Sequence, residues 1–137
     1  MKRSKDLVFI FINFDKRCNP LESVYKKLEK RINKDSFSNY QFYGRDSYNI
    51  SCNWKVYMDN YLEGLHIPIV HPELNKTINY KSYKTEIHDH FSLQWCSIDQ
   101  QLNPYKNDSS EDPIAYYITI FPNVILNIAP GRLQTNI

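Results

Sequence analysis

The chain has 137 residues, 42% of them hydrophobic and 23% charged, which is the composition of one foldable globular domain. Seventeen basic against fifteen acidic residues give a formal net charge of +2, an excess too small for a nucleic-acid-binding module. No apolar window approaches the roughly eighteen residues that a membrane span needs. The three cysteines lack CxxC spacing, so we expect no disulfide framework, a cytoplasmic location, and neither nucleic acid nor membrane as a partner.

The first third of the chain predicts two strands and a helix. Residues 7–14 form an apolar run rich in β-branched and aromatic side chains, which indicates a buried strand. Residues 20–31 predict a helix that Asn19 caps, with Pro20 at the first helical position. Alternating side chains predict a further strand over residues 46–52.

The next segment predicts an amphipathic helix from residue 54 to about residue 65, with Asn53 as its cap. Its apolar side chains recur at helical spacing and form one continuous stripe: Trp54, Tyr57, Met58, Tyr61, Leu62 and Leu65. Pro68 and Pro72 end this helix and favour extended backbone at the residues before them, Ile67 and His71.

The rest of the chain predicts strands. Residues 83–99 hold one or two, and residues 115–121, 124–129 and 132–137 hold one each, with a loop over residues 102–112. The predicted fold class is therefore α+β, an antiparallel sheet with helices packed on one side. We interpret the strand aromatics as core residues, and the same holds for Cys52 and Cys96.

Three ionisable side chains lie on one flank of the predicted helix. Taken at about 100° per residue from Trp54, the positions are about 140° for Asp59, 180° for Glu63 and 120° for His66. Glu63 and His66 are spaced to touch, and the prolines after them can return His71 toward His66. Two imidazoles beside a carboxylate suit Fe(II) or Zn(II), and zinc would give a hydrolase with Glu63 as general base.

Two other positions carry weaker signals. His88 and His90 share one face of a predicted strand, which fits a second metal site less well than a solvated strand face. Arg132 follows a turn at Pro130 and Gly131 and could meet a substrate carboxylate.

Together these residues resemble the iron-binding segment of the Rieske-type non-heme iron oxygenases. These are the α subunits of aromatic ring-hydroxylating dioxygenases and the related choline- and carnitine-type monooxygenases. The resemblance extends over about residues 7–137 and rests on these motifs: Asn53-Trp54-Lys55, Asn60-x-x-Glu63-x-x-His66-x-x-x-x-His71-Pro72, Phe121-Pro122-Asn123 and Leu126-Asn127-Ile128.

The resemblance implies a role for each matching residue. His66 and His71 match the two histidine ligands of a mononuclear Fe(II). Glu63 matches the carboxylate that connects this iron to the Rieske cluster of a neighbouring subunit, where it would also orient His66. Asn60 would lie near the iron pocket.

The resemblance also implies a substrate, an electron source and an assembly. The iron activates O₂ to hydroxylate a small organic substrate, and electrons come from a reductase or ferredoxin through a [2Fe–2S] cluster. Glu63 and the sequence of residues 62–74 favour the monooxygenase branch, which acts on small or quaternary ammonium substrates; aromatic hydrocarbons stay open. The full-length protein is expected to be a homotrimer or an α/β hetero-oligomer. Trp54 is expected in the core and Lys55 exposed or ion-paired.

Two departures from the family pattern define the expected domains. No cysteine is followed by histidine as in Cys-x-His or Cys-x-x-His, so the cluster is expected outside this chain. Residues 1–14 match the end of a Rieske-domain-like segment or a first strand, and residues 15–137 match the N-terminal part of a helix-grip catalytic domain with an incomplete sheet. The third iron ligand, an Asp or Glu, is expected beyond residue 137.

The chain alone is then expected to be inactive, unless one of four aspartates replaces that ligand: Asp89, Asp99, Asp108 or Asp112. One alternative is a non-catalytic ligand-binding remnant of the helix-grip fold, and the other is the zinc hydrolase with His66 and His71 as ligands.

Overall fold

A computed structural model describes residues 15, 17, 21–32, 37, 40–99, 101–102 and 113–137. The chain divides into two compact units, Met1–Gln41 and Phe42–Ile137. Several predicted features lie outside the described residues: the strand over residues 7–14 with the boundary that follows it, the cap at Asn19, and most of the loop over residues 102–112.

The first unit contains α1, which spans Leu21–Ile32 and confirms the predicted helix. Val24 and Leu28, four residues apart, are its buried side chains, at 7% and 4% exposure. Phe37 is also buried, and its ring meets that of Tyr40 edge-on at 5.4 Å between centroids. Val24, Leu28 and Phe37 are thus the buried apolar side chains among the described residues of this unit.

The second unit is built on a five-stranded antiparallel sheet whose strands follow one another in chain order. The strands are β1 (Lys84–Ile87), β2 (Phe91–Ser97), β3 (Ile114–Ile120), β4 (Val124–Ala129) and β5 (Arg132–Asn136). A turn with a cis Phe121–Pro122 peptide bond joins β3 to β4. At the β4–β5 turn Gly131 adopts φ 81°, a conformation that glycine adopts without steric cost. All the strands predicted over residues 83–137 are confirmed.

The two faces of the sheet differ in chemistry. One face is apolar at its centre, where neighbouring Leu93, Ile118 and Leu126 are 1%, 0% and 2% exposed. The other face carries a row that crosses all the strands, here called the polar row: Thr85, Gln94, Tyr117, Asn127 and Gln134. Because side chains alternate along each strand, these two sets point in opposite directions.

The helices of the second unit are short. They are α2 (Trp54–Tyr61), α3 (Ile67–Val70) and α4 (Pro72–Thr77), followed by a 3₁₀ turn at Tyr80–Ser82. Asn53 caps α2 as predicted, since its side-chain oxygen accepts the backbone N–H of Lys55 at 3.0 Å. Among the described residues, no helix is long and apolar enough to cross a membrane.

Two predictions for residues 46–52 were wrong. The strand predicted over residues 46–52 is absent: residues 41–53 form neither helix nor strand, and Tyr48 and Ile50 are 81% and 62% exposed. An alternating pattern makes a strand only where another strand can pair with it, and none of the described strands pairs there. Cys52 is exposed rather than buried, whereas the prediction for Cys96 is confirmed.

The amphipathic helix is shorter and more exposed than predicted. It ends at Tyr61 rather than near Leu65, it has no buried residue, and Trp54 is 53% exposed instead of lying in the core. The physical reason is that the sheet offers α2 a polar surface. Its Tyr61 hydroxyl bonds Asn127 of the polar row at 2.6 Å, so hydrogen bonds replace the expected apolar contact.

The two prolines begin new helices instead of an extended segment. Pro68 lies in the first turn of α3 and Pro72 in that of α4, positions where the missing N–H costs nothing. Ile67 is therefore helical, in contrast to the prediction, while His71 between the helices is not, at φ −121° and ψ 65°. Ile67 packs with Cys96 and Ala115 on the polar-row side of the sheet, so α2 and α3 meet the same face.

Candidate metal centre

The turn after α2 brings Glu63 onto His66. The backbone N–H of Leu62 closes the last turn of α2 on the carbonyl of Met58 at 2.8 Å. One carboxylate oxygen of Glu63, Oε1, then contacts Nδ1 of His66, while Oε2 accepts the backbone N–H groups of Leu65 and His66. The expected contact is present, although a turn rather than a helix face produces it.

These contacts favour the ionised form of Glu63. The hydrogen bond from His66 is the main cause that lowers the pKa of the Glu63 carboxyl, the backbone N–H of Leu65 adds to it, and desolvation opposes it. The Glu63 side chain is 37% exposed, so water screens the pair and its contribution to stability is small. Its main effect is on geometry, because Nδ1 of His66 is engaged and its other ring nitrogen stays available.

A one-turn helix places the second histidine beside the first. Ile67, only 5% exposed, fixes the start of α3 in the core. The backbone N–H of His71 then donates to the carbonyl of Ile67 at 3.0 Å. The two imidazole rings lie 5.1 Å apart between centroids, with their planes at 75°.

This ring separation fits two histidines on one cation. A metal at about 2.1 Å from an imidazole nitrogen lies about 3.2 Å from the ring centroid, so two such rings at roughly tetrahedral angles are about 5 Å apart. The ring of His71 makes no hydrogen bond with the described residues, which leaves its nitrogens available. We call residues 62–71, which carry Glu63, His66 and His71, the histidine segment.

The described residues supply only part of a ligand set. Within the described ranges, no three His, Cys, Asp or Glu side chains form a group that could hold a metal ion. Asp59 and Asn60 are exposed on α2, and because that helix stops at Tyr61 the flank predicted for Asp59, Glu63 and His66 is not continuous. Asp108 and Asp112 lie outside the described residues, and neither Asp89 nor Asp99 completes the pair of histidines.

The other weak signals have ordinary explanations. The ring of His88 stacks on Phe91 at 4.2 Å between centroids, and its Nε2 lies 3.5 Å from Glu86. In the part of the chain that the structure describes, this cluster is not a metal-binding group. Arg132 bonds Gln134 of the same strand at 2.8 Å.

Tyrosines surround the turn that carries Glu63. A shallow depression of about 360 Å³ opens there, lined by Leu62, Glu63, Gly64, Leu65, Tyr80, Tyr83 and Thr85. The ring of Tyr83 stacks on Tyr117 at 6.4 Å between centroids. Burial is the main cause that raises the pKa of Tyr61, Tyr83 and Tyr117 above the ordinary phenol value, so all three phenols stay neutral.

Sequence reasoning missed the residues that support this turn. Gln94, fully buried on β2, bonds both Tyr83 and the backbone of Tyr61. One sequence signal was available, since Gly64 interrupts an otherwise helical pattern and such a glycine indicates a break or a close contact. No sequence signal placed Gln94 opposite Tyr61, because 33 residues separate them.

Comparison with known proteins places the chain in one family. The model of the ring hydroxylating alpha subunit (catalytic domain) matches residues 37–137. A choline monooxygenase of Arabidopsis thaliana is 33% identical over 94 residues, which cover 68% of this chain and 22% of that protein. A carnitine monooxygenase oxygenase subunit of Acinetobacter pittii is 27% identical over 126 residues, 90% of this chain and 34% of that subunit.

Solved structures show the same fold. The quaternary ammonium Rieske monooxygenase CntA matches with a TM-score of 0.69 at 21% identity, over 90% of this chain and 33% of that one. A second structure of a quaternary ammonium Rieske monooxygenase matches with a TM-score of 0.70 at 20% identity, over 90% of this chain and 34% of that one. The α+β prediction with an antiparallel sheet is thus confirmed, and the chain spans about a third or less of the relatives' length. The resemblance inferred from the motifs is confirmed, and the chain belongs to the ring-hydroxylating α-subunit catalytic-domain family.

Proposed function

We propose that the histidine segment supplies two ligands, His66 and His71, to a mononuclear iron in a Rieske-type monooxygenase. The observation that carries this proposal is the pairing of the two rings at 5.1 Å, with Glu63 on Nδ1 of the first. When bound, the iron supplies the site where O₂ is reduced and the substrate is hydroxylated. The third ligand comes from outside the described residues, since no described carboxylate forms a metal-binding group with the two histidines.

Glu63 acts on His66 rather than on substrate. Both of its oxygens are engaged, one by the His66 ring and the other by backbone N–H groups. A general base needs an oxygen that is free to accept a proton from water, so these contacts weigh against a zinc hydrolase that uses Glu63 in that role. They favour a carboxylate that holds the ring of His66 in one orientation and one tautomer.

Electrons for the reaction come from a Rieske [2Fe–2S] centre outside this chain, which a reductase or ferredoxin reduces. This part of the proposal rests on family membership and on the absence of Cys-x-His and Cys-x-x-His in the sequence. We also assign Asn60 to the iron pocket. Asn60 matches the family motif and lies in the last turn of α2, just before the histidine segment. The same proposal includes a cytoplasmic location and, for the full-length protein, a homotrimer or an α/β hetero-oligomer.

The substrate that we propose is a small quaternary ammonium compound. The named relatives act on choline or carnitine, and the depression beside Glu63 presents Tyr80 and Tyr83 together with a carboxylate. Aromatic faces and a nearby negative charge attract an organic cation. A calorimetric titration with choline and with its uncharged analogue 3,3-dimethyl-1-butanol tests this, since equal binding of the two would contradict a cation site.

Anaerobic loading with Fe(II) and formation of the nitrosyl complex test the ligand assignment. We expect His66→Ala and His71→Ala to lose most of the nitrosyl signal of the purified chain. His88→Ala is the matched control, because His88 is a half-buried histidine that stacks on Phe91 and is not part of the pair. Unchanged iron stoichiometry in both His66→Ala and His71→Ala would show that the assignment is wrong.

A further inference from the structure

The fully buried side chain of Gln94 links two parts of the chain. It lies in the polar row on β2 with 0% exposure. Its Oε1 accepts the hydroxyl of Tyr83 at 2.6 Å, and its Nε2 donates to the backbone carbonyl of Tyr61 at 3.0 Å. A buried amide that is satisfied at both ends holds its partners firmly, because breaking either bond leaves a desolvated polar group without a partner.

The first partner fixes the chain just before Glu63. Tyr61 is the last residue of α2, and its carbonyl is one of the last four, which accept no hydrogen bond from within the helix. The Gln94 side chain donates a hydrogen bond to that carbonyl, while the Tyr61 hydroxyl donates to Asn127 Oδ1 at 2.6 Å. The end of α2 is thus tied to both β2 and β4, two residues before the carboxylate.

The second partner fixes the chain just after Glu63. The ring of Tyr83 lies so close to Gly64 that a Cβ there would meet its Cε1 at 2.8 Å and its Cζ at 2.9 Å. The backbone of Gly64 is not in the left-handed region, so the ring of Tyr83, and not a turn conformation, is what requires glycine at this position. Tyr83 in turn stacks on Tyr117.

We propose that Gln94 and Tyr83 are positioning residues that hold the turn between Tyr61 and His66 from both sides and so set the contact between Glu63 and His66. A Glu–His pair that is partly exposed contributes little free energy of its own, so the backbone around it must hold Glu63 where its carboxylate can orient the His66 ring. The role in metal binding rests on the proposed function, whereas the effect on the contact between Glu63 and His66 does not.

Tyr83→Phe tests this proposal, because it removes the hydroxyl bonded to Gln94 and keeps the ring against Gly64. Tyr80→Phe is the matched control: Tyr80 lines the same depression, and its hydroxyl makes no hydrogen bond with the described residues. Two readouts are used on the purified chain: the imidazole nitrogen resonances of His66 in the metal-free protein, and the affinity for Co²⁺ alone from its visible d–d spectrum.

We expect Tyr83→Phe to shift the His66 resonances and to lower the Co²⁺ affinity about tenfold, the lower end of the effect of outer-shell partners. Tyr80→Phe should leave the His66 resonances in place and the Co²⁺ affinity within about twofold, as for a substitution that breaks no bond. Gln94→Met removes both bonds and should shift the His66 resonances further. Gln94→Glu keeps an acceptor for the Tyr83 hydroxyl, so its His66 resonances should lie closer to those of the unmodified chain than the resonances of Gln94→Met do.

Two outcomes overturn the proposal. One is a Tyr83→Phe chain whose His66 resonances match those of the unmodified chain. The other is an equal shift in Tyr83→Phe and Tyr80→Phe, since that would mean general packing rather than the bond to Gln94. If the unmodified chain binds no Co²⁺ through His66 and His71, the proposed function fails, and the His66 resonances still decide the role of Gln94 and Tyr83.

Discussion

The sheet and the histidine segment are held in place by different means. At the centre of the sheet, Leu93, Ile118 and Leu126 are almost completely buried, and every strand is bonded to its neighbours along its length. In the histidine segment Leu65, Ile69 and Val70 are 77%, 85% and 60% exposed. Only Ile67 and Gly64 are buried there.

This difference teaches where stability and site geometry reside. Substitutions in the sheet remove apolar burial that many neighbours share, so they act on the free energy of unfolding. The histidine segment is attached at a few points, which are Ile67 in the core, Gly64 against Tyr83, and the end of α2 at Gln94. Substitutions at those points are expected to change the geometry of the site, at a smaller cost in unfolding free energy than substitutions at the centre of the sheet.

The largest effect is expected from Ile118→Ala on the central strand. The side chain is 0% exposed, so its truncation should lower the free energy of unfolding by about 2–5 kcal/mol in urea denaturation. Ile69→Ala is the control in the histidine segment, at 85% exposure, and should stay within about 0.5 kcal/mol. Similar losses in the two variants would contradict the contrast between the regions.

A smaller effect is expected from Gly64→Ala. The added methyl meets the ring of Tyr83 at 2.8 Å, which should cost about 1–3 kcal/mol of unfolding free energy, as overpacking does. In a chain that already carries Tyr83→Leu, Gly64→Ala should lower the unfolding free energy by less, and a double-mutant cycle measures this coupling. Gly44→Ala is the control, because a Cβ there meets nothing within 4 Å. Additive losses at Gly64 and Tyr83 would show that the ring does not set the need for glycine.

Alkaline pH should weaken the part of the core that lies under the histidine segment. Burial raises the pKa of the Cys96 thiol to about 12, so the folded state disfavours the thiolate. The stability from the neutral thiol is complete below its ordinary pKa and is lost as pH rises toward 12. Between pH 8 and 9.5 we expect a loss of about 1 kcal/mol in urea denaturation, from about 1.4 kcal/mol per pKa unit. An equal slope in Cys96→Ala would refute this assignment.

The smallest effect is expected on the surface of α4. Lys76 Nζ lies 2.7 Å from Glu73 Oε1, with the two side chains 66% and 84% exposed. Lys76→Gln should lower the free energy of unfolding by only about 0.2–0.5 kcal/mol, and added salt should remove the difference. A salt-independent loss above about 1 kcal/mol would mean that α4 depends on this pair and that ion pairs on the helix surface contribute substantially to stability.

The sequence alone determined most of the regular elements and the family. Helix α1 and all five strands follow from hydrophobic periodicity and turn residues, because these signals are local. The spacing of Glu63, His66 and His71 predicted their proximity, because all three lie within nine residues of one another. Local spacing did not predict the early end of α2, because the apolar stripe continues to Leu65. It also missed the helices that contain Pro68 and Pro72, because these prolines were interpreted as favouring extended backbone.

Only the tertiary structure decided which surfaces face each other. Trp54 belongs to an apolar stripe in the sequence and is nonetheless 53% exposed, whereas Tyr61 of the same stripe bonds Asn127 in the polar row. Gln94 lies 33 residues from the carbonyl it bonds, and periodicity carries no information about partners at that distance. The physical reason is that the sequence pattern gives the polarity of each side chain, whereas the tertiary structure determines which residue lies opposite it. In this chain the residues that position Glu63 and His66 come from that second kind of information.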